Sequence, residues 1–132
     1  MFIFKIKPMK KTIVILVLFT SIASCKKNSY SVNQITQEEF SKLETKNIQL
    51  LDVRTPEEFN EGFIEGAISI NFYDDEFFKK VNNQFDSNKP IYIYCASSGR
   101  SVKASSKLII DRSFTEIYYL QGGYNQWKKN QE

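Results

Sequence analysis

Histidine is absent from this 132-residue chain. That excludes Ser-His-Asp and Cys-His catalysis within the chain, and any histidine-ligated metal site. Cysteine is scarce: Cys25 and Cys95 stand 70 residues apart and have no metal-ligand spacing. A disulfide between them is open to the sequence alone, although the reading of the N-terminus below argues against it. The basic surplus is also thin. The formal charge is +3, but residues 1–24 hold Lys5, Lys7, Lys10 and Lys11 and no acid, so the remainder has 14 basic side chains against 15 acidic ones. Nothing in that balance favours a nucleic-acid partner. Repeats and low-complexity stretches are missing too. What is present is apolar: 42% of residues are hydrophobic, with 11 Phe and 7 Tyr, enough for the core of one domain.

The N-terminus reads as an address. Lys10 and Lys11 precede an apolar run from Thr12 to Ala23, which is too short to span a bilayer and fits a signal segment. Met9-Lys10-Lys11 looks like an ordinary signal start. The run ends Ile22-Ala23-Ser24-Cys25, which resembles a bacterial lipobox. The expectation is a lipoprotein signal over 1–24, lipidation of Cys25, a tether over 25–31 and a domain over 32–132. Lipidation would anchor the protein in the cell envelope, on the periplasmic or surface side of a membrane. It would also leave Cys95 as the only thiol.

The domain alternates helix and strand. Thr36-Gln37-Glu38-Glu39 and Thr55-Pro56-Glu57-Glu58 have capping-box form, each opening a short helix. Strands are predicted over Ile48–Val53, Ala67–Asn71, Ile91–Tyr94 and Glu116–Leu120. Phe77, Phe78, Val81 and Phe85 mark a helical stripe that suits core packing. A helix is predicted over Arg100–Asp111, and Tyr124 and Trp127 share one face of a closing helix. This order predicts an α/β domain with a mainly parallel central sheet and helices on both faces. Sites in such folds lie at the carboxyl ends of strands, and the loop after Tyr94 occupies that place.

That loop runs Cys95-Ala96-Ser97-Ser98-Gly99-Arg100-Ser101. Its side chains are small, so successive amides can point inward, and Gly99 permits a positive φ. Amides in a tight loop and at a helix start attract an anion and favour thiolate over thiol. Arg100 can bridge an oxyanion or brace the loop, and Ser97, Ser98 and Ser101 offer hydroxyls. Asp52, at a strand end, has a supporting role in this reading. Arg54 and Glu58 are four apart and placed to pair across a helix start.

Several stretches together resemble a single-domain rhodanese over about residues 32–130. They are Leu51-Asp52-Val53-Arg54, Pro56-Glu57-Glu58-Phe59, Gly62-Phe63-Ile64-Glu65-Gly66-Ala67, Ile93-Tyr94-Cys95, Ser98-Gly99-Arg100-Ser101, and Leu120-Gln121-Gly122-Gly123 with Trp127. The resemblance implies a rhodanese-like fold and a sulfurtransferase activity. Cys95 would take the outer sulfur of thiosulfate or a similar small anionic donor as a persulfide, then pass it to cyanide, a thiol or a protein acceptor. It implies no cofactor and no metal. Two departures stand out. The family often has a histidine where Phe63 stands, and its loop glycine commonly sits one place earlier, at Ser98.

Two other functions compete. A cysteine phosphatase or arsenate reductase commonly has one residue more between cysteine and arginine than the four found here. A non-catalytic binding or redox-sensing module could use the same fold, since fold does not fix function.

Overall fold

The computed structural model describes residues 29–132. Cys25, the apolar run before it and Lys26–Asn28 lie outside the described residues. The elements are β1 (Ser31–Ile35), α1 (Gln37–Ser41), β2 (Gln49–Asp52), α2 (Pro56–Asn60), β3 (Ile68–Ser69), α3 (Phe77–Gln84), β4 (Ile91–Tyr94), α4 (Gly99–Ile110), β5 (Glu116–Leu120) and α5 (Gly123–Lys129), with one 3-10 turn at Thr45–Asn47. The strands form one parallel sheet in the order β1-β5-β4-β2-β3.

Period-two alternation divides the apolar side chains into two layers. Leu51 and Val53, Ile91 and Ile93, and Ile117 enter one layer with Phe77 and Val81 of α3, Phe85 just after it, and Ala104 and Leu108 of α4. Leu50, Tyr94 and Leu120 enter the other with Phe40 of α1, and Tyr124 and Trp127 of α5 pack against it. Helices therefore cover both faces, and β4 at the centre reads as a continuous apolar run for that reason. The alternation carries past the end of β4, so Cys95 falls on the α4 side and Tyr94 on the α1/α5 side.

Both capping boxes form. Thr36 Oγ1 accepts the Glu39 N–H at 3.1 Å and Glu39 Oε2 accepts the Thr36 N–H at 3.0 Å. At α2 the matching distances are 3.3 and 2.9 Å, between Thr55 and Glu58. Several bounds differ from the sequence reading, and β2 closes to Gln49–Asp52 from the predicted Ile48–Val53. β1 begins at Ser31, inside the stretch assigned to a tether, because the backbone of β5 supplies its partners from Glu116 onward. β3 shrinks to two exposed residues at the sheet edge. α4 begins one residue early, at Gly99, and its buried face is Ser101, Ala104, Ser105 and Leu108.

The sheet order fixes where a site can form. The chain leaves β2 toward β3 on one side and leaves β4 toward β5 on the other. The carboxyl ends of β2 and β4 therefore flank the point where the connections diverge, the usual crevice of a parallel sheet. Val53 donates its N–H to Tyr94 O at 3.0 Å there, bringing Asp52–Arg54 beside the loop that begins at Cys95.

Candidate active site

Cys95 lies at the base of the loop, and its residue is 1% exposed. Two of the loop's carbonyls are drawn to α5: Tyr124 donates its N–H to Cys95 O at 2.8 Å, and Asn125 donates to Ala96 O at 3.0 Å. The amides are left free. Among the described residues, no protein acceptor takes the N–H of Ala96, Ser97, Ser98, Gly99, Arg100 or Ser101. The last three are the unsatisfied first turn of α4. A run of unpaired donors after a cysteine is an anion cradle, and the helix dipole adds to it.

The thiol has one side-chain partner. Cys95 Sγ lies 3.6 Å from Ser101 Oγ. The Ser101 hydroxyl donates to Ser98 O at 2.9 Å, so its single proton is used and it faces the thiol as an acceptor. Ser105 donates to Ser101 O at 2.7 Å, which ties off the next buried hydroxyl of α4.

Arg100 projects from the first turn of α4 to Glu58 of α2. Its Nη1 and Nη2 donate to Glu58 Oε2 and Oε1 at 2.6 and 2.7 Å, a two-bond fork. The Arg100 guanidinium, against the effect of burial and with help from the Thr55 N–H, pulls the Glu58 carboxyl down to about 2. The Glu58 hydrogen bond raises Arg100 in turn, with burial opposing and the Glu58, Cys95 and Tyr73 charges adding to the rise. The pairing of Arg54 with Glu58 read from their spacing does not occur. The capping box turns Glu58 toward Thr55, and Arg54 has a nearer carboxylate.

That carboxylate is Asp52. Both side chains are buried. Arg54 donates to Asp52 through its backbone N–H at 2.9 Å, through Nε at 3.0 Å and through Nη2 at 2.7 Å. Nη2 also donates to Gly62 O at 2.6 Å. The guanidinium lies 4.0 Å from the centre of the Tyr124 ring and 5.6 Å from that of Tyr94. Burial alone would lower Arg54; the Asp52 hydrogen bonds and charge reverse the sign and raise it. The pair thus stands behind Tyr124, whose amide holds the carbonyl of Cys95. The side chains of Asp52 and Arg54 make no hydrogen bond to the Cys95–Ser101 loop; their contact on that side is the Tyr124 ring of α5.

The model of the Rhodanese-like domain family matches residues 36–130. The chain belongs to the rhodanese-like domain family. It is 35% identical over 119 residues to the uncharacterized protein YqhL of Bacillus subtilis, covering 86% of this chain and 90% of that one. It is 31% identical over 97 residues to the thiosulfate sulfurtransferase GlpE of Shewanella oneidensis, covering 74% of this chain and 88% of that one. Among solved structures, a rhodanese-like domain protein from Staphylococcus aureus superposes with a TM-score of 0.62 at 33% identity, covering 72% of this chain and 90% of that one.

Within this rhodanese-like domain, the structure brings Cys95, Ala96, Ser97, Ser98, Gly99, Arg100 and Ser101 into one loop and helix start. Glu58 joins them through Arg100. Gly99 is no turn residue: it opens α4, it is not among the positive-φ residues, and a Cβ there would meet nothing within 4 Å. Ser98 takes φ −170°, outside the left-handed region that would favour glycine. The site residues that the sequence reading missed are Gly123, Tyr124 and Asn125. Gly123 has φ +58°, and a Cβ on it would lie 2.5 Å from both Cys95 O and Ser97 O. The signal was the Gly122-Gly123 pair, which the sequence reading counted toward the family resemblance without assigning it a place in the site. Phe63, at the position where the family often has histidine, is 47% exposed and stacks on Phe59 at 4.2 Å, away from the loop contacts described above.

Proposed function

We propose that this rhodanese-like domain is a sulfurtransferase working through a persulfide on Cys95. The observation that carries the reading is the run of unpaired amides from Ala96 to Ser101 that follows directly on a buried thiol. The Cys95 thiolate attacks the outer sulfur of a sulfane donor such as thiosulfate. A bond forms between Sγ and that sulfur. The bond to the sulfonyl sulfur breaks, and sulfite leaves with the electron pair. An acceptor, cyanide or a thiolate, then attacks the outer sulfur of the persulfide, and Cys95 departs as a thiolate. Neither displacement requires a proton transfer, which suits a chain without histidine. The scheme is covalent, two-step catalysis, and the unpaired amides are available to a negative charge that develops on the donor or on the transferred sulfur.

Incubating the purified protein with a sulfane donor and weighing it intact tests this. The expected result is a gain of one sulfur atom, lost again on adding cyanide with release of thiocyanate, and no gain in Cys95→Ser. A protein that loads but never discharges to cyanide or any thiol is a persulfide-binding module and not an enzyme. One that never loads refutes the reading. Cys25 is the proposed lipid acceptor, supported by Lys10-Lys11, the apolar run and Ile22–Cys25. Palmitate labelling that persists in Cys25→Ala would refute it.

A further inference from the structure

The donor meets an arginine whose charge is already matched. From Cys95 to Ser101 the only charged side chain is Arg100, and Glu58 holds it through two short bonds. Glu58 cannot swing away freely, because Oε2 also accepts the Thr55 N–H at 2.9 Å in the α2 capping box. The pair is partly sheltered from solvent, with side-chain exposures of 20% for Arg100 and 32% for Glu58. Within the cradle itself the attraction for an anion therefore comes from neutral amide dipoles. Those suit one negative charge on sulfur. A dianion gains no net cation from this pair and brings two charges toward the Glu58 carboxylate.

We propose that the Glu58–Arg100 pair sets the donor class, making the site selective for sulfane donors with at most one negative charge, of which an alkyl persulfide is the simplest, over the thiosulfate dianion. This rests on the sulfurtransferase reading above. With R–S–SH as donor, the Cys95 thiolate bonds to the outer sulfur, the R–S bond breaks, and R–S⁻ leaves with the electron pair. The proton stays on the transferred sulfur, and no oxidant or reductant is consumed. With thiosulfate the leaving group is sulfite, which carries both charges out past Glu58. Glu58 is a positioning and selectivity residue; it touches the reacting sulfur in neither scheme.

Glu58→Gln tests the idea, because glutamine keeps the length and an acceptor for Thr55 while removing the charge. Sulfur loading of Cys95 is timed by intact mass with thiosulfate and with the persulfide of 2-mercaptoethanol, on wild type and variant, at low and high sodium chloride. The ratio of thiosulfate to persulfide rates is expected to rise about tenfold in the variant, since a bare guanidinium now faces the dianion. Thiosulfate loading is expected to be nearly flat with salt in the wild type and to fall with salt in the variant. An unchanged ratio, or both donors slowed alike with loading intact, overturns the selectivity and leaves the sulfurtransferase reading standing. Loss of all loading in the wild type overturns that reading instead. Should the variant fail to fold, the wild type decides alone: thiosulfate loading that falls steeply with salt shows an unmatched cation at the site and refutes the proposal.

Discussion

Alanine at Gly123 is the sharpest test of how the loop is held. At φ +58° an L side chain is strained, by about 1–2 kcal/mol. The added Cβ would lie 2.5 Å from Cys95 O and Ser97 O and 2.8 Å from the carbonyl carbon of Ala96. All three are backbone atoms, so no side chain can swing aside. Relief requires the loop and α5 to separate, which stretches the Tyr124–Cys95 and Asn125–Ala96 bonds of 2.8 and 3.0 Å. Each is worth about 0.5–1.5 kcal/mol. The total is about 2–5 kcal/mol, which for a domain of this size lowers Tm by at least about 10 °C. Thermal unfolding followed by circular dichroism reads that shift. Below the melt, the rate of Cys95 sulfur loading should fall as well, because the displaced carbonyls are those through which α5 holds the loop. A variant with Tm within about 2 °C of wild type and unchanged loading would show that α5 does not position the loop.

Other perturbations separate the parts. Gly99→Ala should raise stability by roughly 0.5–1 kcal/mol in urea titrations, since a Cβ there meets open space at the start of a helix; destabilisation would mean that the loop needs glycine freedom after all. Asp52→Asn should cost about 3–5 kcal/mol, because it leaves the buried Arg54 charge without its counter-ion, and a loss under about 1 kcal/mol in the same titration would refute the reading of that pair. Glu58 is depressed from 4.5 to about 2 in the folded protein. Its contribution to stability is therefore complete above pH 4.5 and is lost as pH falls through about 2. Glu58→Gln should flatten that acid limb in melts taken across this range; an identical limb in both proteins would contradict it.

Much of the frame was legible because its causes are local. Capping boxes are set within four residues, and Thr36 and Thr55 formed both. Ile91–Tyr94 and Glu116–Leu120 appeared at the predicted bounds because buried parallel strands are apolar on both faces. β1 escaped because its cause is remote. Ser31, Asn33 and Gln34 are polar, and the strand exists because β5 offers an unpaired edge. The two serines on the buried face of α4 are a different case. Ser101 and Ser105 are polar, yet each returns its hydroxyl to a carbonyl one turn back and so can be buried without an unmet donor.

The exchange of partners between Arg54 and Glu58 shows where spacing misleads. A separation of four residues promises an ion pair only when both residues lie in one helix. Arg54 precedes α2, and its backbone still follows the strand, so its side chain runs back to Asp52 two residues earlier. Glu58 occupies the third position of the helix, where the cap bends it toward the N-terminus and toward whatever approaches from that end. What approaches is the first turn of α4, 42 residues later in the chain. The sheet order puts it there, because β2 and β4 are neighbours and their following helices start side by side. One short local motif therefore supplies two things at once: a stop for the amides of α2 and a counter-charge for Arg100. Removing the Thr55 hydroxyl separates them. In Thr55→Val, Glu58 loses the hydroxyl of its cap but keeps the backbone N–H of residue 55. The helix start should weaken by about 1 kcal/mol, while the donor ratio measured on Cys95 stays near that of wild type. A ratio that shifts as far as in Glu58→Gln would mean that the cap, and not the carboxylate charge, governs what the loop accepts.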